Sequence, residues 1–308
     1  MMKVALIGCG RWGKNLARVF DELGVLHMVC DPLVEVNAYP YTSCEIAPAL
    51  MDEGVTAVAI ATPPDTHYEL AREALVEGKD VFVEKPMCLS CKEARDLTEL
   101  AEARGLILMV GHLMLYHPAI RQMLGMVRRN LLGTVEHVSS LRRAPGEPRD
   151  DHVLWTLGSH DVAILTEMME GKYPWKVSAQ GDKDSLEVSL GYTDAEVYLD
   201  LSWVATTKDR LIKIEGTKGA LLYNDEHESL LHDVRGRGRV GVAYGKREPL
   251  LLELEHFVTC CVNRDRPRTD GRHAVAVAAL LDHIDANTTF GYYHLPNNDD
   301  PNGEVVII

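Results

Sequence analysis

The stretch VALIGCGRWGKNL, residues 4–16, joins an apolar run to three glycines and then to a helical pattern. Gly8, Gly10 and Gly13 have the spacing G-x-G-x-x-G. In a strand–turn–helix unit the first glycine allows the tight turn, the second lets the backbone approach a phosphate, and the third lets helix and strand pack closely. The helix N-terminus can then bind a pyrophosphate. The stretch therefore predicts a dinucleotide-binding unit, and a glycine turn without a ligand is the alternative.

A carboxylate follows at the offset expected for ribose binding. The next apolar run, LHMVCD, ends on Asp31, which follows Gly13 by 18 residues, close to the ~20 residues expected. A carboxylate there accepts from the 2′-hydroxyl of NAD and repels the 2′-phosphate of NADP. Pro32 and Leu33 come next, so no adjacent arginine is offered to that phosphate. We expect NAD rather than NADP, and a turn-capping Asp31 is the alternative.

Length and charge limit the function classes. The chain has 308 residues, enough for two domains. Its formal net charge of −14 argues against a nucleic-acid or anionic-membrane partner. No apolar run approaches the ~18 residues that span a bilayer, and no signal-peptide pattern is present. Together with seven cysteines, an odd number, this predicts a cytoplasmic protein with reduced thiols.

One C-x-x-C pair, Cys88 and Cys91, is a candidate for redox or metal chemistry. No second pair completes a zinc site, so no metal is expected. Ser90 and Glu93 fit a capping box at the start of the following helix. We interpret the cysteines as small residues at that helix entrance, with a redox role as the alternative.

The order of patterns predicts an α/β protein with two domains. Residues 1–117 alternate strands and helices, which indicates a doubly wound parallel Rossmann sheet. Residues 118–308 contain helices and a succession of alternating strands, ending in EVVII, which indicates an α/β domain with a large, mostly antiparallel open sheet. Tyr192, Tyr198 and Trp203 are expected on its free face. Exposed apolar area of that kind marks an interface, so we expect a homo-oligomer.

Two residues could carry the chemistry. Lys85 ends the fourth strand in EKP, and ligands bind outside the carboxyl ends of parallel strands; a surface lysine is the alternative. His160 lies in LWTLGSHDVAIL, and histidine suits proton abstraction from a hydroxyl. The alternative for His160 is a hydrogen-bonded core histidine.

Several motifs together resemble one family. GCGRWG, ATPPDTHYELAREAL, EKPMCLS, HLMLYHPAI, LGSHD and ELEHFVTCCVNRDRPRTDG occur in this order along nearly the whole chain. They resemble the glucose–fructose oxidoreductase/inositol dehydrogenase (Gfo/Idh/MocA) family. The resemblance implies a Rossmann domain, a C-terminal open sheet that builds dimers or tetramers, and NAD(P)-dependent chemistry on a sugar-like alcohol.

The resemblance also implies site residues. Lys85 contacts the substrate hydroxyl and the nicotinamide ribose, and His160 is the catalytic histidine of a D-x-x-x-H motif. The Asp position of that motif holds Thr156, which carries no charge, and helical geometry points the adjacent Asp161 about 100° away. The expected cofactor-binding residues are Gly8, Gly10, Arg11, Trp12, Gly13, Asp31, Thr62, Pro63, His67, Glu84 and Lys85.

A substrate-binding region is predicted on both sides of the cleft. The segment SSLRRAPGEPR contains Arg142, Arg143 and Arg149, and arginine's planar fork matches phosphate and carboxylate oxygens. We expect a diphosphate clamp there, with a solvated basic loop as the alternative. The segment Tyr116, His117 and Arg121 is expected to line the sugar side, with Thr156 and His160.

Within the family, VGHLMLYHPAIRQM and VLWTLGSHD look most like the nucleotide-sugar 3-dehydrogenases. These oxidise carbon 3 of UDP-N-acetylglucosamine or its uronic acid, and an aminotransferase consumes the ketone. Two alternatives remain open: a dehydrogenase of a free polyol or sugar of the inositol type, and a dinucleotide-binding regulator without catalysis.

Overall fold

The apolar runs of the N-terminal half form one parallel sheet with the strand order β3-β2-β1-β4-β5-β6. The computed structural model describes residues 2–33, 39, 41–43, 45–148, 151–234 and 238–290. The strands of this first sheet are β1 (Val4–Ile7), β2 (Leu26–Cys30), β3 (Thr42–Ser43), β4 (Ala57–Ile60), β5 (Asp80–Glu84) and β6 (Leu108–Gly111). Strands β1, β4, β5 and β6 are buried throughout, as expected for a parallel sheet covered on both faces.

Helices cover the two faces of this sheet. Those of the N-terminal half are α1 (Gly13–Glu22), α2 (Ala47–Met51), α3 (His67–Val76) and α4 (Cys91–Arg104). Ser90 caps α4 by accepting from the N–H of Glu93, so the predicted helix entrance is confirmed. The six described cysteines form no disulfide.

The C-terminal half forms a nine-stranded sheet with the order β14-β13-β12-β11-β7-β10-β9-β8-β15. Its strands are β7 (Val135–Arg143), β8 (Lys176–Gly181), β9 (Ser185–Gly191), β10 (Glu196–Ser202), β11 (Asp209–Gly216), β12 (Gly219–Asn224), β13 (Ser229–Val234), β14 (Gly238–Gly241) and β15 (Thr288–Phe290). Only the β7–β10 and β8–β15 pairs are parallel. The predicted α/β fold with a mostly antiparallel second sheet is therefore confirmed.

Four further helices pack in the C-terminal half. They are α5 (Pro118–Arg128), α6 (Ser159–Met168), α7 (Pro249–Asn263) and α8 (Gly271–Ala286), and a π-helical turn precedes α6 at Leu154–Gly158. Helices α7 and α8 return to the first sheet. The Phe257 ring of α7 lies 6.4 Å from Phe20 and 5.6 Å from Phe82, and α8 packs on α4. The last part of the chain thus covers the N-terminal sheet as well as its own.

The outer face of the second sheet is less apolar than expected. Tyr192 and Trp203 are buried, with 8% and 9% of their surface exposed, and only Tyr198, at 36%, is open. The expectation that Tyr192 and Trp203 are exposed is wrong, because each lies one residue beyond the end of a strand, where the alternation between the two faces no longer holds. The predicted tail strand EVVII falls outside the described residues.

Candidate active site

The glycine turn follows β1 and leads into α1. Gly8 has φ +90°, and a Cβ there would lie 2.7 Å from the carbonyl carbon of Ala61. A Cβ on Gly13 would lie 2.1 Å from the carbonyl oxygen of Gly8, whereas a Cβ on Gly10 would meet nothing within 4 Å. Gly8 and Gly13 are required by close packing, and Gly10 leaves open space beside the N-terminus of α1. This geometry fits a bound pyrophosphate.

Asp31 lies directly beside this turn, at the end of β2. Its Oδ2 accepts from the N–H of Cys9 at 2.6 Å and its Oδ1 from the N–H of Leu33 at 2.8 Å. Each carboxylate oxygen keeps a further lone pair that a ribose hydroxyl can use. The residues present therefore fit the adenosine side of a dinucleotide.

Lys85 connects the first sheet to the segment before α6. Its Nζ donates to the carbonyl oxygen of Thr156 at 2.8 Å. The Thr156 hydroxyl donates to the carbonyl of His152 on its own turn, so only the Thr156 backbone contacts Lys85. Burial lowers the pKa of Lys85 from its ordinary value. A half-buried ammonium thus lies at the carboxyl end of β5, on the same edge of the sheet as the glycine turn after β1.

His160 lies on the first turn of α6, close to that ammonium. Its Nδ1 is buried and has no hydrogen-bond partner among the described residues. Burial lowers the pKa of His160 well below 6.5, and the charges of Lys85 and Arg142 lower it further. The imidazole is therefore neutral at neutral pH and can accept a proton. An unpartnered nitrogen does not match a histidine satisfied within the core.

A hydrogen bond between Trp12 and Glu84 joins two of the segments that are predicted to bind the cofactor. The Trp12 indole N–H donates to Glu84 Oε1 at 2.5 Å, which joins the glycine turn to the end of β5. Burial raises the pKa of Glu84 to about 7, although the Trp12 bond opposes the shift. Arg11 is exposed beside them.

His67 does not face the cofactor, because only 1% of its surface is exposed. Its Nδ1 lies 2.8 Å from the carbonyl oxygen of Pro86 and its Nε2 lies 2.9 Å from that of Thr62. The prediction that His67 binds the cofactor directly is corrected: its ring ties the loop after β4 to the turn after Lys85. Pro63 remains exposed in that loop.

The predicted arginine clamp is not one unit. Arg142 and Arg143 are adjacent strand residues, and side chains alternate between the faces of a sheet. Arg142 is buried and makes a bidentate pair with Asp161 at 2.6 and 3.0 Å. Arg143 pairs with Asp200 on the outer face. Arg149 lies outside the described residues, so Arg142 alone of the three is placed near His160.

The three residues predicted to line the sugar side after β6 do not lie together. Tyr116 is 2% exposed and its hydroxyl lies 3.2 Å from Thr269 Oγ1; it is a core residue and not part of a sugar-binding wall, because its ring packs under α7. His117 caps α5 and its Nε2 lies 3.4 Å from the Tyr223 hydroxyl. Arg121 is exposed and forms no ion pair within the described ranges.

The sequence analysis did not predict three residues that lie at the site: Arg210, Tyr223 and Asp225. Arg210 on β11 lies close enough to lower the pKa of His160. Asp225 accepts from the Tyr223 hydroxyl at 2.6 Å and lies 3.5 Å from Arg210. One signal was available: Arg210 has the same strand phase as the apolar Ile212, so it must point inward.

The described residues contain no helix long and apolar enough to cross a membrane. Within the same ranges, no group of three or more His, Cys, Asp or Glu side chains is arranged to hold a metal ion.

Comparison with known proteins relates this geometry to a family. A profile of the oxidoreductase family with an NAD-binding Rossmann fold matches residues 2–112. UDP-N-acetylglucosamine 3-dehydrogenase of Acidithiobacillus ferrooxidans is 29% identical over 83% of this chain and 88% of its own. The scyllo-inositol 2-dehydrogenase (NAD(+)) of Bacillus subtilis is 32% identical over 86% of this chain and 88% of its own.

A solved structure agrees over most of the chain. That of the A. ferrooxidans 3-dehydrogenase superposes with a TM-score of 0.83 at 26% identity, covering 93% of this chain and 97% of that chain. The chain belongs to the Gfo/Idh/MocA family of oxidoreductases.

Proposed function

We propose that the protein is an NAD-dependent dehydrogenase that oxidises the 3-hydroxyl of a nucleotide-activated amino sugar, of the UDP-N-acetylglucosamine type, to a 3-keto sugar. The observation that carries this is the bond from Lys85 Nζ to the carbonyl of Thr156. It holds the ammonium beside His160, at the edge of the sheet where the glycine turn lies. The similarity to UDP-N-acetylglucosamine 3-dehydrogenase supports the substrate class.

The two side chains divide the chemistry of alcohol oxidation. The neutral imidazole of His160 takes the hydroxyl proton as the C=O bond forms. The Lys85 ammonium donates a hydrogen bond to the same oxygen, which orients it and stabilises the negative charge that develops there. When bound, the nicotinamide accepts the hydride from the carbon. Burial of both groups strengthens these interactions because solvent screens them less.

Asp31 supports NAD rather than NADP as the cofactor. Its carboxylate already accepts two backbone N–H bonds, so it is fixed where a 2′-phosphate would add a second negative charge. Asp31→Ser should weaken NAD binding and reduce the ratio of the affinity for NAD to the affinity for NADP. Tighter binding of NADP than of NAD by the unsubstituted protein, measured by fluorescence titration, would contradict this assignment.

The proposed product indicates the class of reaction that follows. A 3-keto sugar carries a carbonyl that a following aminotransferase can convert to an amine.

We also infer a cytoplasmic homodimer or homotetramer formed through the outer face of the second sheet. Tyr198 and Trp175, 36% and 73% exposed, are its open aromatic residues among those described.

A second candidate is oxidation of a free polyol of the inositol type. It is favoured by one observation: the scyllo-inositol 2-dehydrogenase of B. subtilis is the more identical of the two relatives compared, at 32%. The catalytic pair serves either substrate, because both reactions oxidise a ring hydroxyl.

One assay separates the two candidates. NADH formation is followed with UDP-N-acetylglucosamine, its uronic acid, scyllo-inositol and free glucose at matched concentrations. We expect the highest kcat/KM for a UDP-sugar. Better turnover of scyllo-inositol or glucose than of either UDP-sugar assigns the enzyme to the polyol class instead.

A further inference from the structure

Two arginines lie opposite each other beside the catalytic histidine. Arg142 on β7 pairs in register with Arg210 on β11. Both point to the inner face of the second sheet, where α6 packs and carries His160. Directly opposite residues of an antiparallel pair have their Cβ atoms about 4.5–5.5 Å apart, and like charges there are destabilising. Such a pair needs anions.

The protein compensates the two arginines unequally. Asp161 holds Nε and Nη2 of Arg142 at 2.6 and 3.0 Å, with only 7% and 1% of the two side chains exposed. Arg210 meets Asp225 at 3.5 Å, and 40% of its side chain is exposed. The other oxygen of Asp225 takes the Tyr223 hydroxyl. Arg210 is thus held loosely and stays open to a ligand.

Arg142 also keeps a free donor. Asp161 occupies two of its three nitrogens, and Nη1 forms no hydrogen bond within the described ranges, although the charge of Asp225 also acts on the guanidinium. The Asp161 carboxylate is held on both oxygens, and its Oδ1 also accepts from the Ser140 hydroxyl at 2.7 Å. Arg142 is therefore a fixed guanidinium with one NH₂ group left for recognition.

The third cation, Lys85, has a neutral partner. Its Nζ bonds to the carbonyl of Thr156, which carries no charge. Glu84 is close, but it is turned to Trp12 and its pKa is about 7. Asp151 also attracts Lys85, from an exposed position. Within the described residues, no carboxylate therefore bonds directly to the Lys85 ammonium.

We propose that Arg142 and Arg210, together with the positive charge of Lys85, bind an oxyanion carried by the substrate sugar on the side of the site where His160 lies. The inference rests on the proposed function and adds a specificity-determining role for Arg210. The oxyanion has two possible sources, the carboxylate of a uronic acid and the phosphate on the anomeric oxygen. Arginine's planar fork suits both, so the test varies them independently.

Four sugars separate the sources: N-acetylglucosamine, its uronic acid, and the UDP derivatives of both. Arg210→Gln is compared with Arg143→Gln, which removes an arginine from the opposite face of the same sheet. For Arg210→Gln we expect KM to rise at least about 10-fold, as when a bond to a charged group is lost, for those sugars that carry the recognised anion. The Arg143→Gln variant should keep the original KM values.

The pattern of KM identifies the anion. A rise confined to the two uronic acids assigns the site to the carboxylate, and a rise confined to the two UDP-sugars assigns it to the phosphate. An unchanged KM, or an equal rise for all four including uncharged N-acetylglucosamine, overturns the proposal.

A binding experiment separates this inference from the proposed function. Glucuronate and inorganic phosphate are titrated into the enzyme–NADH complex, which requires no turnover. Binding of either anion that Arg210→Gln weakens supports the site even where no UDP-sugar is oxidised. Failure of both anions to bind the unsubstituted protein overturns it, whatever the substrate.

Discussion

Lys85 reaches the second half of the molecule through a backbone carbonyl and not through a side chain. Its Nζ bonds to the oxygen of Thr156, whose hydroxyl is turned to His152. Any residue at position 156 can offer that carbonyl, so the contact does not depend on the threonine side chain. Thr156 therefore holds Lys85 in place without adding a negative charge to the site.

Thr156→Ala tests this separation at the residue scale. The carbonyl that holds Lys85 remains, so we expect kcat to fall less than about tenfold, below the ~10²-fold and larger effects of removing an acid–base group. Steady-state kinetics at saturating substrate measures it. A loss as large as that of His160→Asn would show instead that the Thr156 hydroxyl acts in the reaction.

The pH profile tests the state of the two catalytic groups. His160 must be neutral to accept a proton, and burial lowers its pKa well below 6.5, so kcat/KM for oxidation should stay level down through pH 6.5. Lys85 must be charged, and its lowered pKa places the alkaline fall below 10.5. An acid limb centred above pH 6.5 would contradict the assignment of a buried, neutral His160.

Local motifs predicted those residues whose role depends on their immediate neighbours. The glycine turn and Lys85 belong to this kind, since a strand end fixes them. Tyr116 and Arg143 were misplaced because their role depends on which face of a distant element they meet. No local signal says that α7 covers Tyr116.

At the scale of elements, the turn between β1 and α1 separates packing from binding. A Cβ on Gly13 would collide with the Gly8 carbonyl oxygen at 2.1 Å, while a Cβ on Gly10 would meet nothing within 4 Å. Two chemically identical substitutions three residues apart therefore have different consequences.

Gly10→Ala and Gly13→Ala form a matched pair. Gly10→Ala should leave the melting temperature unchanged and raise the Kd for NAD at least about 10-fold, because the methyl group occupies the space of the phosphate. Gly13→Ala, in contrast, should lower the melting temperature, since the overlap of the methyl group with the Gly8 carbonyl forces backbone shifts that cost about 1–3 kcal/mol. An unaltered Kd for NAD in Gly10→Ala would show that the phosphate of NAD does not bind beside Gly10.

The long elements were predictable and the short or edge ones were not. Apolar periodicity identified the strands of the first sheet except β3, which has two residues, too few to show a period. Strand β14 at the sheet edge and its neighbour β13 show no clear apolar alternation, because Leu230 is the one fully buried residue of the two strands. The strand phase of Arg210 was readable, yet a charged residue pointing inward is meaningful only once a site is known to lie there.

At the scale of the whole molecule, α7 closes over the first sheet and buries a carboxyl group. Glu253 is 0% exposed, and neither of its oxygens has a partner among the described residues. Burial raises its pKa well above 4.5, and the charge of Glu84 adds to the shift. Glu253 is therefore protonated in the folded protein over a range where the unfolded chain is ionised.

The consequence is a stability that falls as pH rises. A raised carboxyl pKa contributes stability below about pH 4.5 that is lost progressively above it, by up to about 1.4 kcal/mol per pH unit. Glu253→Gln cannot ionise, so its melting temperature should drop less between pH 5.5 and 8 than that of the unsubstituted protein. Glu255→Gln, on the exposed side of α7, is the control and should keep the original dependence. Equal pH dependence in both variants would place no ionisation at Glu253.

The account as a whole depends on Lys85 and His160 acting together on a sugar hydroxyl. The most direct measurement is kcat for NADH formation in His160→Asn and Lys85→Met, with NAD binding followed in the same preparations and the outer-face variant His137→Asn as control. We predict a loss of about 10²-fold or more in kcat for both, with NAD still bound and His137→Asn unaffected. Near-normal turnover in His160→Asn would return that residue to the core and contradict the proposed chemistry.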